Sequence, residues 1–163
     1  MRIFATPTRL RSLPLPLRVL MTFYLLTVLL GLGSSAAKYA TRTGVAPASV
    51  VRYYAGDAAG EVEPPKSTRF LTDVTHPHLF SVPLVLLVVC HLVHMTGLPA
   101  AALVALDGAT FLGFLATFGL PWLVADRPGL APLLVASGTL FLLATALQTI
   151  LALVFLWLPG RRL

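Results

Sequence analysis

The stretch THPHLFSVPLVLLVVCHLVHMTG, residues 75–97, holds all four histidines of the chain. His76 and His78 stand at its start, His91 and His94 near its end, and the residues between are almost wholly apolar. Imidazole ligates metals and exchanges protons near neutral pH. On a regular helix His76 and His91 lie about 60° apart in azimuth and about 22 Å apart along the axis. His94 falls near the azimuth of His76, whereas His78 and His91 are about 140° apart. The spacing predicts one face carrying His76, His91 and His94, with His78 turned elsewhere. Pro77 and Pro83 interrupt that regularity, and a helix starting at Pro77 would leave His76 outside it.

Asp107 sharpens the second histidine pair. It is the only acidic residue within the apolar segments. The turn between His94 and Asp107 centres near Pro99 and Ala100, so antiparallel segments bring the two to similar depth. A carboxylate beside an imidazole orients a ligating histidine or forms a proton-handling pair. Asp107, next to Gly108, equally suits a helix cap at the interface. At the other end, Asp73, His76 and His78 form an Asp with an H-x-H, a set that could bind a divalent transition metal. All four histidines also fit a plainer role as interfacial, hydrogen-bonded side chains.

The elements that position these residues follow from composition. Of 163 residues, 57% are hydrophobic and 11% charged, against about 25% charged in soluble domains. A soluble core of this size could not hide so much apolar surface, so the solvent is lipid. Four segments approach the roughly 20 apolar residues that a span needs: about 17–37, 78–96, 102–124 and 132–158. The expected fold is all-α, an antiparallel integral membrane four-helix bundle forming a single domain over 1–163. One long external loop, 38–75, joins the first two helices. Within it YYAGDAAGEVEPPKS is expected to be irregular, with Tyr53 and Tyr54 at the membrane interface.

Charge gives the orientation. Arg2, Arg9 and Arg11 precede the first span and Arg18 stands at its start, Arg161 and Arg162 follow the last, and neither tail has an acidic residue. The positive-inside rule places both termini in the cytoplasm, and the basic tails against anionic lipid. The net charge of +6 therefore belongs to membrane topology. No groove-reading motif is present, so nucleic acid is not an expected partner. The N-terminal layout superficially matches a signal peptide, and we read it as an uncleaved anchor. Cys90 is the only cysteine, which rules out an intrachain disulfide; it is expected to be a small core residue. Ala105, Ala109, Gly113 and Thr117, and Ala144, Gln148 and Ala152, recur every four residues and mark surfaces where helices approach closely.

Two imidazole levels about 20 Å apart along one helix could place a haem near each membrane face. In this respect the second span resembles the haem-bearing helices of membrane b-type cytochromes. Those proteins supply the opposite axial ligand from a second helix, and here no other span contains a histidine. Met21, or a histidine of another subunit, would have to complete a haem b or other tetrapyrrole site. More widely, the ordered set YYAG, PPKS, THPHLF, HLVHMTGLP and LDGATFLG resembles bacterial four-helix inner-membrane proteins of cytochrome-containing respiratory systems. That resemblance implies a bacterial inner-membrane location and other membrane subunits as partners in electron transfer.

No nucleophile elbow, phosphate loop, zinc motif or paired-carboxylate site supports independent catalysis. The leading expectation is a small subunit of an energy-converting complex that anchors partners and contributes to a haem, tetrapyrrole or quinone site. The alternatives are an accessory subunit without cofactor and a small transporter or proton-conducting protein, with His94 and Asp107 in a relay.

Overall fold

The computed structural model describes residues 9–57 and 63–158. Arg2, Arg161 and Arg162 of the basic tails and Glu61 of the loop lie outside the described residues. The α-helices are α1 (Leu15–Arg42), α2 (Pro47–Ala55), α3 (Thr68–His94), α4 (Ala100–Gly119), α5 (Pro121–Val124) and α6 (Ala131–Trp157), and there is no strand among the described residues. Four helical segments are long and apolar enough to cross a membrane: α1, α3, α4 continued by α5, and α6 with the turn before it. The fold is the expected all-α membrane bundle.

Its boundaries differ in physically informative ways. The first helix runs five residues past the expected end, to Arg42. Gly31 and Gly33 do not break it, because a helix is the cheapest way to satisfy backbone groups in lipid. The second spanning helix starts at Thr68 rather than 78. The Ser67 hydroxyl caps it, accepting from the Phe70 N–H at 3.2 Å. Pro77 and Pro83 both lie inside this helix, so His76 is helical rather than outside. The expected loop 38–75 therefore shrinks at both ends, and α2 occupies its middle. Tyr53 and Tyr54 belong to α2. Pro47 sits in its first turn and Gly56, at φ +85°, closes it, the usual placement of the two residues.

Apolar packing concentrates at the two ends of the bundle. On the N-terminal side Leu10, Leu25, Val89, Val93, Leu103 and Leu156 form one buried cluster. On the opposite side α2 folds over α6, and Val50 packs with Val124, Ala131 and Leu134. Tyr54 joins this second cluster; burial, with Tyr39 and Tyr53 adding smaller effects, pushes its phenol pKa up. The ammonium of Lys66 lies 4.4 Å from the Tyr53 ring centroid and 3.0 Å from Glu63 Oε1. Between the clusters α4 and α6 make the most extensive helix pair. Leu20, Phe23, Leu84, Leu112, Leu115 and Leu143 are exposed, as lipid-facing side chains should be.

The small-residue stripes are used inside the chain. Gly113 is buried against the backbone of Phe141, and Ala144, Gln148 and Ala152 are buried on α6. These buried members are packed within the chain, whereas Ala105, at the start of the α4 stripe, is exposed. Trp122 Nε1 donates to Thr75 Oγ1 at 3.2 Å near one end, and Trp157 Nε1 donates to Thr22 Oγ1 at 2.9 Å near the other. Tryptophans at both membrane boundaries are typical anchors.

Candidate functional site

The connection between α3 and α4 is short. Gly97 adopts φ +84°, a conformation that costs glycine little, and Pro99 is the N-cap of α4. This turn returns the chain antiparallel to α3 and sets His94, the last residue of α3, against Asp107 two turns into α4. His94 Nε2 lies 2.7 Å from Asp107 Oδ2, and the side chains are 49% and 28% exposed. Asp107 lies well inside α4, so it does not cap the helix.

A third helix completes the arrangement, through a residue that sequence reasoning placed only in a packing stripe. Gln148 of α6 is 0% exposed. Its Nε2 donates to Asp107 Oδ1 at 3.1 Å. Its Oε1 accepts from the Thr110 hydroxyl at 3.1 Å and from the Cys90 thiol at 3.7 Å. Cys90 is buried, as expected, and is a hydrogen-bond donor as well as core filler. The donors converge on the carboxylate: Cys90 and Thr110 give to Gln148, and Gln148 gives to Asp107. With Asp107 ionised, the shared proton sits on His94 Nε2, the tautomer in which the imidazole donates. Both carboxylate oxygens are then satisfied, which offsets part of the cost of an acid in lipid.

The polarity of the network limits its chemistry. His94 and Asp107 can exchange a proton, and the half-exposed ring can pass it to the N-terminal side. An amide does not relay protons, so the path stops at Gln148. Further along α6, the Thr145 and Thr149 hydroxyls donate to their own helix's carbonyls, at Phe141 and Thr145, both at 2.7 Å. Among the described residues the network thus opens to one side, and no side-chain hydrogen bond extends it across the bundle. Gln148→Leu is expected to lower bundle stability by about 1–2 kcal/mol, because three polar partners lose their common mate. Reversible unfolding in mixed micelles measures this; unchanged stability would remove the network from the energetics of the fold.

The other histidines occupy separate environments. His76 and His91 are exposed, as is His94. His76 packs edge-on against Phe80 at 5.1 Å. His78 is half-buried and stacks on Phe118 of α4 at 4.7 Å, and its Nδ1 donates to the Val74 carbonyl at 2.6 Å. Asp73 lies 3.9 Å from Arg69 Nε. Asp73, His76 and His78 therefore do not converge on one point. Among the described residues no group of three or more His, Cys, Asp or Glu side chains could hold a metal ion. The reason is periodicity: residues at i, i+3 and i+5 of a continuous helix point about 300° and about 140° from the first. Met21 packs against the apolar cluster that includes Leu25, Val89 and Val93, whereas His91 and His94 are exposed.

A family model described as a transmembrane helical domain, Aq_1264_TM, matches residues 44–163. No curated protein matches the chain, and no solved structure does.

Proposed function

Given that the chain belongs to the Aq_1264_TM family, a transmembrane helical domain, we propose that it works as a membrane subunit of an electron-transfer complex. His94 and Asp107 would handle protons at a quinone site. The observation that carries this reading is the one-sided network: an imidazole half-exposed at the bundle edge, backed by a carboxylate that Gln148 holds in place. Reduction of a quinone to its quinol takes two electrons and two protons. The electrons would come from a redox partner subunit. Protonated His94 would donate from Nδ1 to a quinone oxygen while Asp107 steadies the imidazolium through Nε2. The second proton would come from water at the membrane boundary. The resemblance of YYAG, THPHLF, HLVHMTGLP and LDGATFLG to respiratory inner-membrane proteins supports the same setting.

Geometry favours this role for His94 over haem ligation. With Nε2 committed to Asp107, only Nδ1 is left to meet a metal, and Nδ1 sits beside the Cβ branch, where a planar macrocycle is crowded. All four histidines lie on α3, so a bis-histidine haem on His76 or His91 would need its second ligand from another chain. The one-sided network also favours a redox site over a proton-conducting protein.

Extraction from native membranes in mild detergent tests the assignment. The expected particle is larger than the monomer by native mass and reduces or oxidises a quinone analogue. A homogeneous monomer with no lost partners and no quinone chemistry would refute it. We further propose that the protein resides in a bacterial inner membrane with both termini cytoplasmic. Reporters fused at each terminus and inserted near Gly60, which lies outside the described residues, are expected to read cytoplasmic, cytoplasmic and external. An external C-terminus would overturn this orientation.

A further inference from the structure

We infer that the N-terminal side of the bundle carries a binding site for the headgroup of one anionic phospholipid, between the segment before α1 and the ends of α3 and α6. A cavity of about 250 Å³ opens there. Arg9 and Arg11 supply its charge, and Leu10, Met95, Phe155 and Leu158 supply its apolar lining. Among the described residues no acidic side chain lines it. The volume falls just below the range of about 300–1,000 Å³ that encloses drug-sized ligands. It suits a phosphate and glycerol, with the acyl chains left to run along the bundle in the bilayer.

The segment bearing the two arginines is held in place. Leu10 is 1% exposed, and its N–H donates to the Met95 carbonyl at 3.0 Å. The Ser12 hydroxyl donates to the Arg9 carbonyl at 2.7 Å. The Arg18 guanidinium donates to the carbonyls of Leu13 and Arg11, and it lies 5.9 Å from the Trp157 ring centroid. Arg18 is thereby engaged in positioning the segment. The side chains of Arg9 and Arg11 make no hydrogen bond or ion pair among the described residues. Two guanidinium groups without an acidic mate point to an anion, and their forked donors match phosphate. The apolar lining points to an amphiphile rather than a free ion. The helix ends, at His94 and Trp157, put the cavity where headgroups lie.

Native mass spectrometry of the full chain, purified in mild detergent, provides the test. The chain is incubated with phosphatidylglycerol or with phosphatidylcholine and scored for retained lipid. Wild type is expected to retain one phosphatidylglycerol and to discriminate against phosphatidylcholine. Arg9→Gln with Arg11→Gln is expected to weaken retention by about fivefold per arginine, roughly 25-fold together. The substitutions keep the backbone carbonyls that hold the segment. Arg52→Gln with Arg127→Gln, removing two exposed charges at the other end, is expected to change retention little. Equal retention of the two lipids by wild type overturns the inference without any variant. So does an equal loss in the Arg52 and Arg127 control, or unchanged retention in the Arg9 and Arg11 variant. Displacement by inorganic phosphate at lipid concentrations would reveal a free-anion site and overturn the lipid assignment.

Discussion

Under the proposed quinone-site role, Asp107→Asn is expected to reduce electron-transfer turnover about 100-fold at normal subunit abundance, the lower end of what a positioned proton-transfer group contributes. The substitution keeps the volume of the side chain. Its oxygen can still accept from Gln148 Nε2, as Asp107 Oδ1 does at 3.1 Å. The changed atom is the one facing His94. Where Oδ2 accepts from the imidazole at 2.7 Å, an amide nitrogen can only donate. His94 must then present a bare Nε2 and carry its proton on Nδ1, and no charge remains to steady an imidazolium. Stability should not fall with activity, because the neutral amide brings no charge into the bilayer, where a carboxylate carries an insertion cost of about 2.5–3.5 kcal/mol. Turnover and subunit abundance measured together separate the readings: wild-type turnover in the variant removes the pair from the mechanism.

The largest effect on the fold is expected from Gly113→Leu. A Cβ at this position would stand 3.0 Å from the Phe141 backbone nitrogen and 3.1 Å from its Cα. Those atoms belong to the backbone of α6 and cannot swing aside, so the two helices must separate along their most extensive contact. Phe114 would be disturbed with them, since its ring is 5.9 Å from Phe141 and 5.2 Å from Phe118. A loss of about 3 kcal/mol is expected, at the top of the usual overpacking range. Gly119 has open space where its Cβ would go, so Gly119→Ala serves as the matched control and should be neutral. Unfolding of the three proteins in mixed micelles gives the comparison; Gly113→Leu as stable as Gly119→Ala would show that the close approach contributes nothing.

The spans were legible because hydropathy reports burial in lipid directly, and the His94–Asp107 contact was legible because a short turn leaves two antiparallel helices little freedom in register. The early start of α3 was hidden by its composition. Thr68 to Asp73 carry charge and precede the apolar run, so the segment reads as loop, although Arg69 and Asp73 are spaced as a helical i, i+4 pair. Pro77 pointed to a helix start, yet membrane helices tolerate proline in their interior. For α2 the signals were present in Pro47 and Gly56, but nine residues are too few for periodicity to stand out. Gln148 was the residue least open to sequence reading. Its four-residue spacing from Ala144 and Ala152 marks a packing face. Only the three-dimensional crossing of α6 with α3 and α4 puts its amide beside Asp107, Thr110 and Cys90.

The family match begins at residue 44, two residues beyond the end of α1 at Arg42. The most apolar window of α1 is only 6% buried, and Leu25 is its single buried side chain. The matched region holds three of the four candidate spans among the described residues. Arg9, Arg11 and Arg18 stand around the start of α1, and positive charge beside a span biases which side of the membrane that end takes. Under the proposed orientation α1 is therefore a topogenic element. Its basic flank would hold the N-terminal side of the bundle, and with it the His94 end of α3, against one leaflet. Its packing is nonetheless specific: Leu25 is buried with Val89 and Leu156, and Thr22 accepts from Trp157 Nε1 at 2.9 Å.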